Sequence, residues 1–323
     1  MSDEIGVGIF RTEIPLPGNP LRSINSYLIR GDGRWLMIDT GMGRAECRDA
    51  MAASLRELAV DLERTDIFVT HFHADHLGLV SELARAGCRV YFNYAEVDLV
   101  HKPDHWENVS GVARLHGFPE DELQAAMARH PGRRYQAPEL PELTLLREGD
   151  QISIGPYRLT CVETPGHTPG HMCLYDAGAK ILFSGDHVLK DITPNLSGWV
   201  EERDSLYRYL GSLEKITGYD VDWIFPGHRT PFRDLRGRIA ELTRHHEVRA
   251  EEVLNILRGG AQSAYHVASR MTWAIRCNGW SDFPVQQKWF AGGEALAHLQ
   301  YLQRQGRVSR ERGEGGYTYR IAP

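Results

Sequence analysis

The sequence predicts an α/β protein built on layered sheets, followed by a small, mainly helical C-terminal domain closed by a two-stranded hairpin. Three observations predict it. Up to about residue 233, short apolar runs alternate with helical patterns and turn residues. Four groups of metal-ligand-type side chains each stand just past an apolar, strand-like run, where a sheet architecture would gather them along one edge. From about Asp234 the pattern changes to long amphipathic helices and ends in a Gly-rich, alternating tail.

The first elements follow from local chemistry. Ser26–Arg30 and Arg34–Ile38 flank Gly31-Asp32-Gly33, so they form a β-hairpin with an Asp-Gly loop. Asp39-Thr40-Gly41 ends it, and a helical stretch runs from about Ala45 to Leu58. A strand at Ile67–Val69 leads into a dense polar motif, then a helix over 77–86 and a strand over Cys88–Phe92. Residues 94–142 break this rhythm: they are polar, acidic and helical, an insertion able to cover a site. Its histidines His101, His105, His116 and His130 are expected to be mostly solvated. Strands resume at Gln151–Ile154, Tyr157–Glu163, Met172–Tyr175 and Lys180–Phe183, followed by a helix over about 204–216 and a strand at Asp222–Phe225.

Leu235, Ile239, Leu242, Arg249, Val253 and Ile256 recur at helical spacing and predict one long helix, stopped by Gly259-Gly260. Helical stretches at Ala264–Met271 and Val285–Gln303 come next. The tail alternates on either side of Glu314-Gly315-Gly316. Three helices and a hairpin make a winged-helix pattern.

Composition narrows the class. The 323 residues suffice for one large domain plus a small one, and 42% hydrophobic with 25% charged content is that of a soluble globular chain. No apolar run reaches bilayer length, which argues against a membrane protein. Met1-Ser2-Asp3-Glu4 is acidic and lacks a basic-then-apolar leader, so the expected compartment is the cytoplasm. Cys47, Cys88, Cys161, Cys173 and Cys277 are far apart and are expected as reduced thiols. The net charge of −6 is uneven: residues 258–323 carry nine Lys/Arg and four Asp/Glu, a balance of +5, which leaves −11 for residues 1–257.

The chemistry concentrates at Val69-Thr70-His71-Phe72-His73-Ala74-Asp75-His76-Leu77-Gly78, with four potential ligands in six positions. A strand end turning into a helix N-terminus can aim neighbouring side chains at one point. Imidazole and carboxylate are donors that zinc, iron and manganese share. One loop histidine is usually just solvated; His-x-His-x-Asp-His is a metal pattern. Thr164-Pro165-Gly166-His167, Ser184-Gly185-Asp186-His187 and Phe225-Pro226-Gly227-His228 each add a ligand-type residue after a strand.

This ordered set, with Asp39-Thr40-Gly41, resembles the metallo-β-lactamase-fold hydrolase superfamily over residues from about 20 to 235. The C-terminal segment resembles the winged-helix tail of the β-lactamase-like protein 2 group. The resemblance implies an αββα sandwich in residues 1–235, with the insertion at about 94–142, and a winged-helix-like domain in 236–323. It implies two divalent metal ions, zinc before iron or manganese, with His71, His73 and His167 on the first. Asp75, His76 and His228 would hold the second, and Asp186 would bridge the two. A bridging hydroxide, acidified by both cations, would be the nucleophile. Asp39 resembles the family's aspartate that orients a ligand imidazole. His171 is expected as a hydrogen-bonded scaffold rather than a ligand, and His187 either as a proton donor to the leaving group or as a packed histidine.

Departures from subfamilies point to substrate. Asp186 stands where secreted zinc β-lactamases usually carry a cysteine, and only about forty residues part Asp186 from His228, too few for the insertion of the nucleic-acid-processing branch. Glyoxalase-II enzymes share the metal motifs but end in a different helical segment. A small ester, thioester or lactone is therefore the expected substrate. Cleavage of single-stranded RNA is the alternative, motivated by Arg304, Arg307, Arg310 and Arg312 near Tyr317 and Tyr319. Packing or homodimerisation of the tail is expected ahead of nucleic-acid binding.

Overall fold

The computed structural model describes residues 2–101, 104–135, 137, 139–200 and 204–323; the side chain of His101 is outside the described set. In chain order, β1 (Ser2–Gly6), β2 (Ile9–Pro15), β3 (Ser23–Arg30) and β4 (Trp35–Ile38) precede α1 (Ala45–Glu57). β5 (Thr65–Phe68) leads into the short helices α2 (Ala74–Leu77) and α3 (Val80–Leu83), then β6 (Val90–Asn93). The insertion supplies α4 (Tyr94–His101), α5 (His105–Leu115), α6 (Glu120–Arg129) and α7 (Pro131–Arg134). β7 (Leu143–Leu146), β8 (Gln151–Ile154), β9 (Tyr157–Glu163), β10 (Met172–Asp176) and β11 (Ile181–Gly185) follow. After α8 (Ser205–Thr217) and β12 (Trp223–Pro226) come α9 (Leu235–Leu257), α10 (Ala264–Arg270) and α11 (Val285–Arg304). A hairpin of β13 (Val308–Gly313) and β14 (Gly316–Ile321) ends the chain.

These elements form two compact units. The first comprises residues 1–101, 131–194 and 215–238, and contains a mixed α/β sandwich. One sheet runs β1 to β7 in sequence order, and the other runs β12-β11-β10-β9-β8. Period-two alternation explains the layering. Tyr27, Ile29, Leu36, Ile38 and Phe68 point between the sheets and meet Leu159, Cys161, Leu174, Phe183 and Phe225. Tyr27 is the pin of this inner core: its ring lies 5.3 Å from that of Phe183, and its hydroxyl donates to the Pro226 carbonyl at 2.7 Å. Leu28, Met37 and Ile67, one residue out of phase, face the opposite side and pack with Cys47, Met51 and Leu55 of α1. α1 is itself amphipathic, with Glu46 in its first turn and Arg56 in its last, matching the helix dipole.

The expected helix over 77–86 is instead split into α2 and α3. Gly78 at the break is pressed so tightly that a Cβ there would lie 2.4 Å from the Ala74 carbonyl oxygen and 2.6 Å from Gly43 N. The sequence pattern also passes over β1, β2 and β7. The outer strands β1 and β7 offer only half-buried or exposed positions apart from Leu146, so little apolar alternation announces them.

The second unit comprises residues 102–130, 195–214 and 239–323, so a single cut at 235 does not describe it. The insertion helices α5 and α6 bury Val109, Ala113, Leu123 and Met127 in the same core as α9, α10 and α11. Trp199 stacks on Trp289 with centroids 4.9 Å apart, and Gln286 of α11 donates to the Ala126 carbonyl at 2.7 Å. His116, expected in solvent, is fully buried, its ring stacked against Tyr317 at 5.1 Å. A buried histidine chain links α9 to α11: His246 Nδ1 donates to His298 Nε2 at 3.3 Å, and His298 Nδ1 donates to the Glu294 carbonyl at 2.8 Å.

That chain needs a neutral His298. Burial, with Arg249 and His245 adding repulsion, pushes its pKa down to about 4. Unfolding lets the ring protonate at its ordinary value near 6.5, so the unfolded state binds more protons below that pH. Stability from this group is therefore complete above about pH 6.5 and falls as pH drops toward 4, by up to about 3 kcal/mol. Denaturant unfolding of metal-stripped protein, followed by tryptophan fluorescence, reads this. Five of the seven tryptophans (Trp106, Trp199, Trp273, Trp280 and Trp289) belong to the second unit. The acid slope is expected to shrink in His298→Leu; an unchanged slope excludes His298 as its source.

Candidate metal centre

Strand ends build the site. β5 stops at Phe68, the chain turns through Thr70, and extended His73 serves as N-cap of α2, placing Asp75 and His76 in its single turn. β9 ends at Glu163, four residues before His167. β11 and β12 run parallel with Gly185 opposite Pro226, so Asp186 and His228 emerge side by side. The Gly227 amide donates to the Gly185 carbonyl at 2.7 Å and locks this neighbourhood. Glycine is required at 227 by the approach itself, since a Cβ would sit 2.6 Å from Asp186 Oδ1 and 3.0 Å from His76 Cε1.

Three donor groups result: His71/His73/His167, His71/His76/Asp186 and Asp75/His76/His228, with the donor atoms in each within 4.8 Å of one another. His73 Nδ1 lies 3.0 Å from both His71 Nε2 and His167 Nε2. Donor atoms around a tetrahedral ion with 2.0–2.1 Å bonds are about 3.3 Å apart, so the trio is close to ligand spacing. Asp186 Oδ2 lies 3.6 Å from His76 Nε2, 3.6 Å from His167 Nε2 and 3.4 Å from His228 Nε2. His228 Nε2 is also 3.4 Å from Asp75 Oδ2. His76 Nε2, His228 Nε2 and Asp186 Oδ1 are buried without a hydrogen-bond partner, which is rare for buried polar atoms. An imidazole and carboxylate donor set with such orphaned atoms fits divalent cations.

The surrounding hydrogen bonds orient the rings. His76 Nδ1 donates to Asp39 Oδ2 at 2.8 Å, which turns Nε2 toward the site. Thr70 Oγ1 donates to the same carboxylate at 2.9 Å and accepts from His71 Nδ1 at 3.0 Å, so Asp39 sets the tautomer of His71 through one hydroxyl. His228 Nδ1 donates to the Ser23 carbonyl at 2.7 Å. Asn25 Nδ2 donates to the carbonyls of Pro226 and Arg229 at 2.9 and 2.7 Å, clamping the His228 turn to β3.

Electrostatics divide the site. Burial, then the neighbouring histidines, holds the His71 pKa well below its ordinary value, the neutral form a cation needs. Burial acts the same way on His73, with His167 next in weight. Burial also opposes charge on His228, yet Asp186 and Asp75 outweigh it and push that pKa up to about 10. Burial would raise Asp75, but His76 and His228 pull it down to about 2.

His71, His73, Asp75, His76, His167, Asp186 and His228 thus converge, from four separate strand ends. Asp39 is buried against His76 and Thr70. His171 has both ring nitrogens engaged: Nδ1 donates to Thr164 Oγ1 at 2.7 Å and Nε2 accepts from the Asp186 amide at 3.0 Å. His187 is fully buried, its ring 6.0 Å from that of His171. Sequence reasoning missed Asn25, Thr70 and Glu96 as site residues. Glu96 was hidden among the acidic residues of the insertion, although it too stands just past an apolar strand, β6.

A sandwich whose strand ends gather this donor set is a metal-dependent hydrolase of one fold family, and comparison with known proteins agrees. The pattern of the metallo-beta-lactamase superfamily matches residues 19–228, and that of the metallo-beta-lactamase-like C-terminal domain matches residues 281–322. The chain belongs to the metallo-beta-lactamase superfamily. It is 28% identical over 221 residues to human acyl-coenzyme A thioesterase MBLAC2, covering 64% of this chain and 74% of that protein. It is 27% identical over 323 residues to the lactamase-like protein adaB of Aspergillus niger, covering 87% and 86%. Among solved structures, a beta-lactamase domain protein from Burkholderia ambifaria superposes with a TM-score of 0.84 at 31% identity, covering 99% of this chain and 94% of that one. A metallo-beta-lactamase family protein from Thermus thermophilus gives 0.82 at 29%, covering 97% and 98%. Among the described residues, no helix is long and apolar enough to cross a membrane.

Proposed function

We propose that this chain is a two-metal hydrolase of small acyl thioesters. The observation that carries it is the position of Asp186 Oδ2, within 3.6 Å of His167 from one donor group and of His76 and His228 from the other. Two dications a few ångströms apart repel, so adjacent sites need a shared anion, and Asp186 is placed to serve both. His71, His73 and His167 would hold the first ion, and Asp75, His76 and His228 the second. Zinc is our assignment, with iron and manganese sharing the same donor preferences. Bound there, such ions supply Lewis acidity: an acidified water as nucleophile and positive charge for the developing oxyanion.

The chain's own groups do the rest. Asp75, whose side chain keeps 12% of its surface open, would orient the attacking water through a hydrogen bond to its carboxylate. Asp39 and the Ser23 carbonyl take the Nδ1–H of His76 and of His228, so each ring would offer Nε2 to an ion that displaces its proton. The leaving group decides the substrate class. A thiol has a pKa near 8.5 and departs as thiolate with little help, so thioester cleavage places no demand on the buried His187. An oxyester or phosphodiester expels a more basic alkoxide and does need an acid. The acyl-coenzyme A thioesterase activity in the name of the human relative supports the same class.

The RNA alternative is less well supported. The ring of Tyr317, its stacking candidate, already carries the Arg310 guanidinium at 4.3 Å and stacks on His116 at 5.1 Å. Metal-replete protein should be assayed on matched thioesters, oxyesters and lactones and on single-stranded RNA, at low and high salt. Thioester turnover abolished by chelation and by Asp75→Ala, with RNA intact, is the expected result. Salt-steep RNA cleavage lost in Asp75→Ala, without acyl turnover, would reverse the assignment.

A further inference from the structure

Glu96 stands in the first turn of α4 and is fully buried. Its carboxylate forks between two loops distant in sequence. Oε2 accepts from the Phe72 amide at 2.6 Å, and Oε1 accepts from the Gly170 amide at 2.7 Å. Phe72 lies between His71 and His73, and Gly170 closes the turn that begins at His167. One side chain therefore ties together the two loops that carry the His71/His73/His167 group.

The surroundings are built for this contact. Asn93 Oδ1 accepts from the Ala95 amide at 2.8 Å, which fixes the start of α4. A Cβ on Gly170 would lie 2.6 Å from Glu96 Cγ, so only glycine admits the carboxylate so close. An ionised carboxylate is the side-chain group that offers two acceptor oxygens to two N–H donors; an amide offers one acceptor and sets its own donors against the other N–H. Left unpaired, a buried N–H costs about 1–3 kcal/mol.

We propose that Glu96 is a positioning residue that holds the two histidine loops at the separation a single cation needs. This rests on the two-metal reading above. Loss of the fork would loosen the His71/His73/His167 group while leaving His76, tied to Asp39, and His228, tied to the Ser23 carbonyl, in place.

The test is Glu96→Gln in the full chain, with exposed Glu107→Gln as control. Zinc affinities are measured by chelator competition, and the cobalt-substituted visible spectrum is recorded. The expected result is a tenfold or greater loss of affinity at one site of the two and an altered cobalt spectrum, with the control unchanged. Wild-type affinities at both sites in Glu96→Gln would overturn the proposal. Amide exchange of metal-stripped wild type judges the fork without relying on the variant or on metal. Slow exchange at Phe72 and Gly170 supports it, and exchange at the rate of unprotected amides overturns it. If wild type takes up fewer than two ions, the two-metal reading fails, and the exchange result still decides the fork.

Discussion

Asp186→Asn is expected to cut thioester turnover on the order of 10³-fold or more, comparable to removing a principal electrostatic group from an active site. The reason is geometric. Oδ2 faces the Nε2 atoms of His76, His167 and His228 at 3.4–3.6 Å, all lone pairs once a cation is present. Asparagine either keeps one neutral oxygen there or turns an N–H donor toward the site, and neither would compensate the two adjacent positive ions of the proposed centre. Metal content should fall with turnover. Elemental analysis beside kcat settles the matter: two ions retained, with kcat within tenfold of wild type, would sink the shared-carboxylate role.

Asp39→Asn is expected to weaken metal binding about 10- to 100-fold, the usual cost of losing a carboxylate behind a ligand histidine. Asparagine is the informative choice because Asp39 sits at φ +58°, a left-handed conformation that Asn tolerates and Ala does not. The substitution keeps shape and backbone but loses one acceptor. His76 Nδ1, Thr70 N and Thr70 Oγ1 all donate to this carboxylate, so its amide replacement must set a donor against one of them. Thr70→Val should cost less, because it removes only the hydroxyl between Asp39 and His71. Competition titrations that place both variants at wild-type affinity would show that the rings are oriented by packing alone.

Much of the site is legible along the chain because strand ends are local. Ile67-Phe68-Val69 before His71, and Ile224-Phe225-Pro226 before His228, show a buried run that stops where polar ligands begin. The stacking of the two sheets is likewise carried by period-two alternation, as in Tyr27 and Ile29 facing inward while Leu28 faces out. The grouping of α5 and α6 is not legible. Their apolar faces announce helices that must be buried, yet nothing in an amphipathic pattern names the partner, and here it is the core of α9 to α11.

Sequence by itself determined the fold class, most of the order of the elements and the candidate donor side chains, because residue type and spacing act over a few positions. Tertiary structure alone decided that Asp186 stands between the two donor groups, that Thr70 relays Asp39 to His71, and that Glu96 ties loops 24 and 74 residues away from it. Those relations depend on which strand ends lie side by side after the sheets pack. A hydrogen bond between residues so far apart has no periodic trace in the chain that forms it.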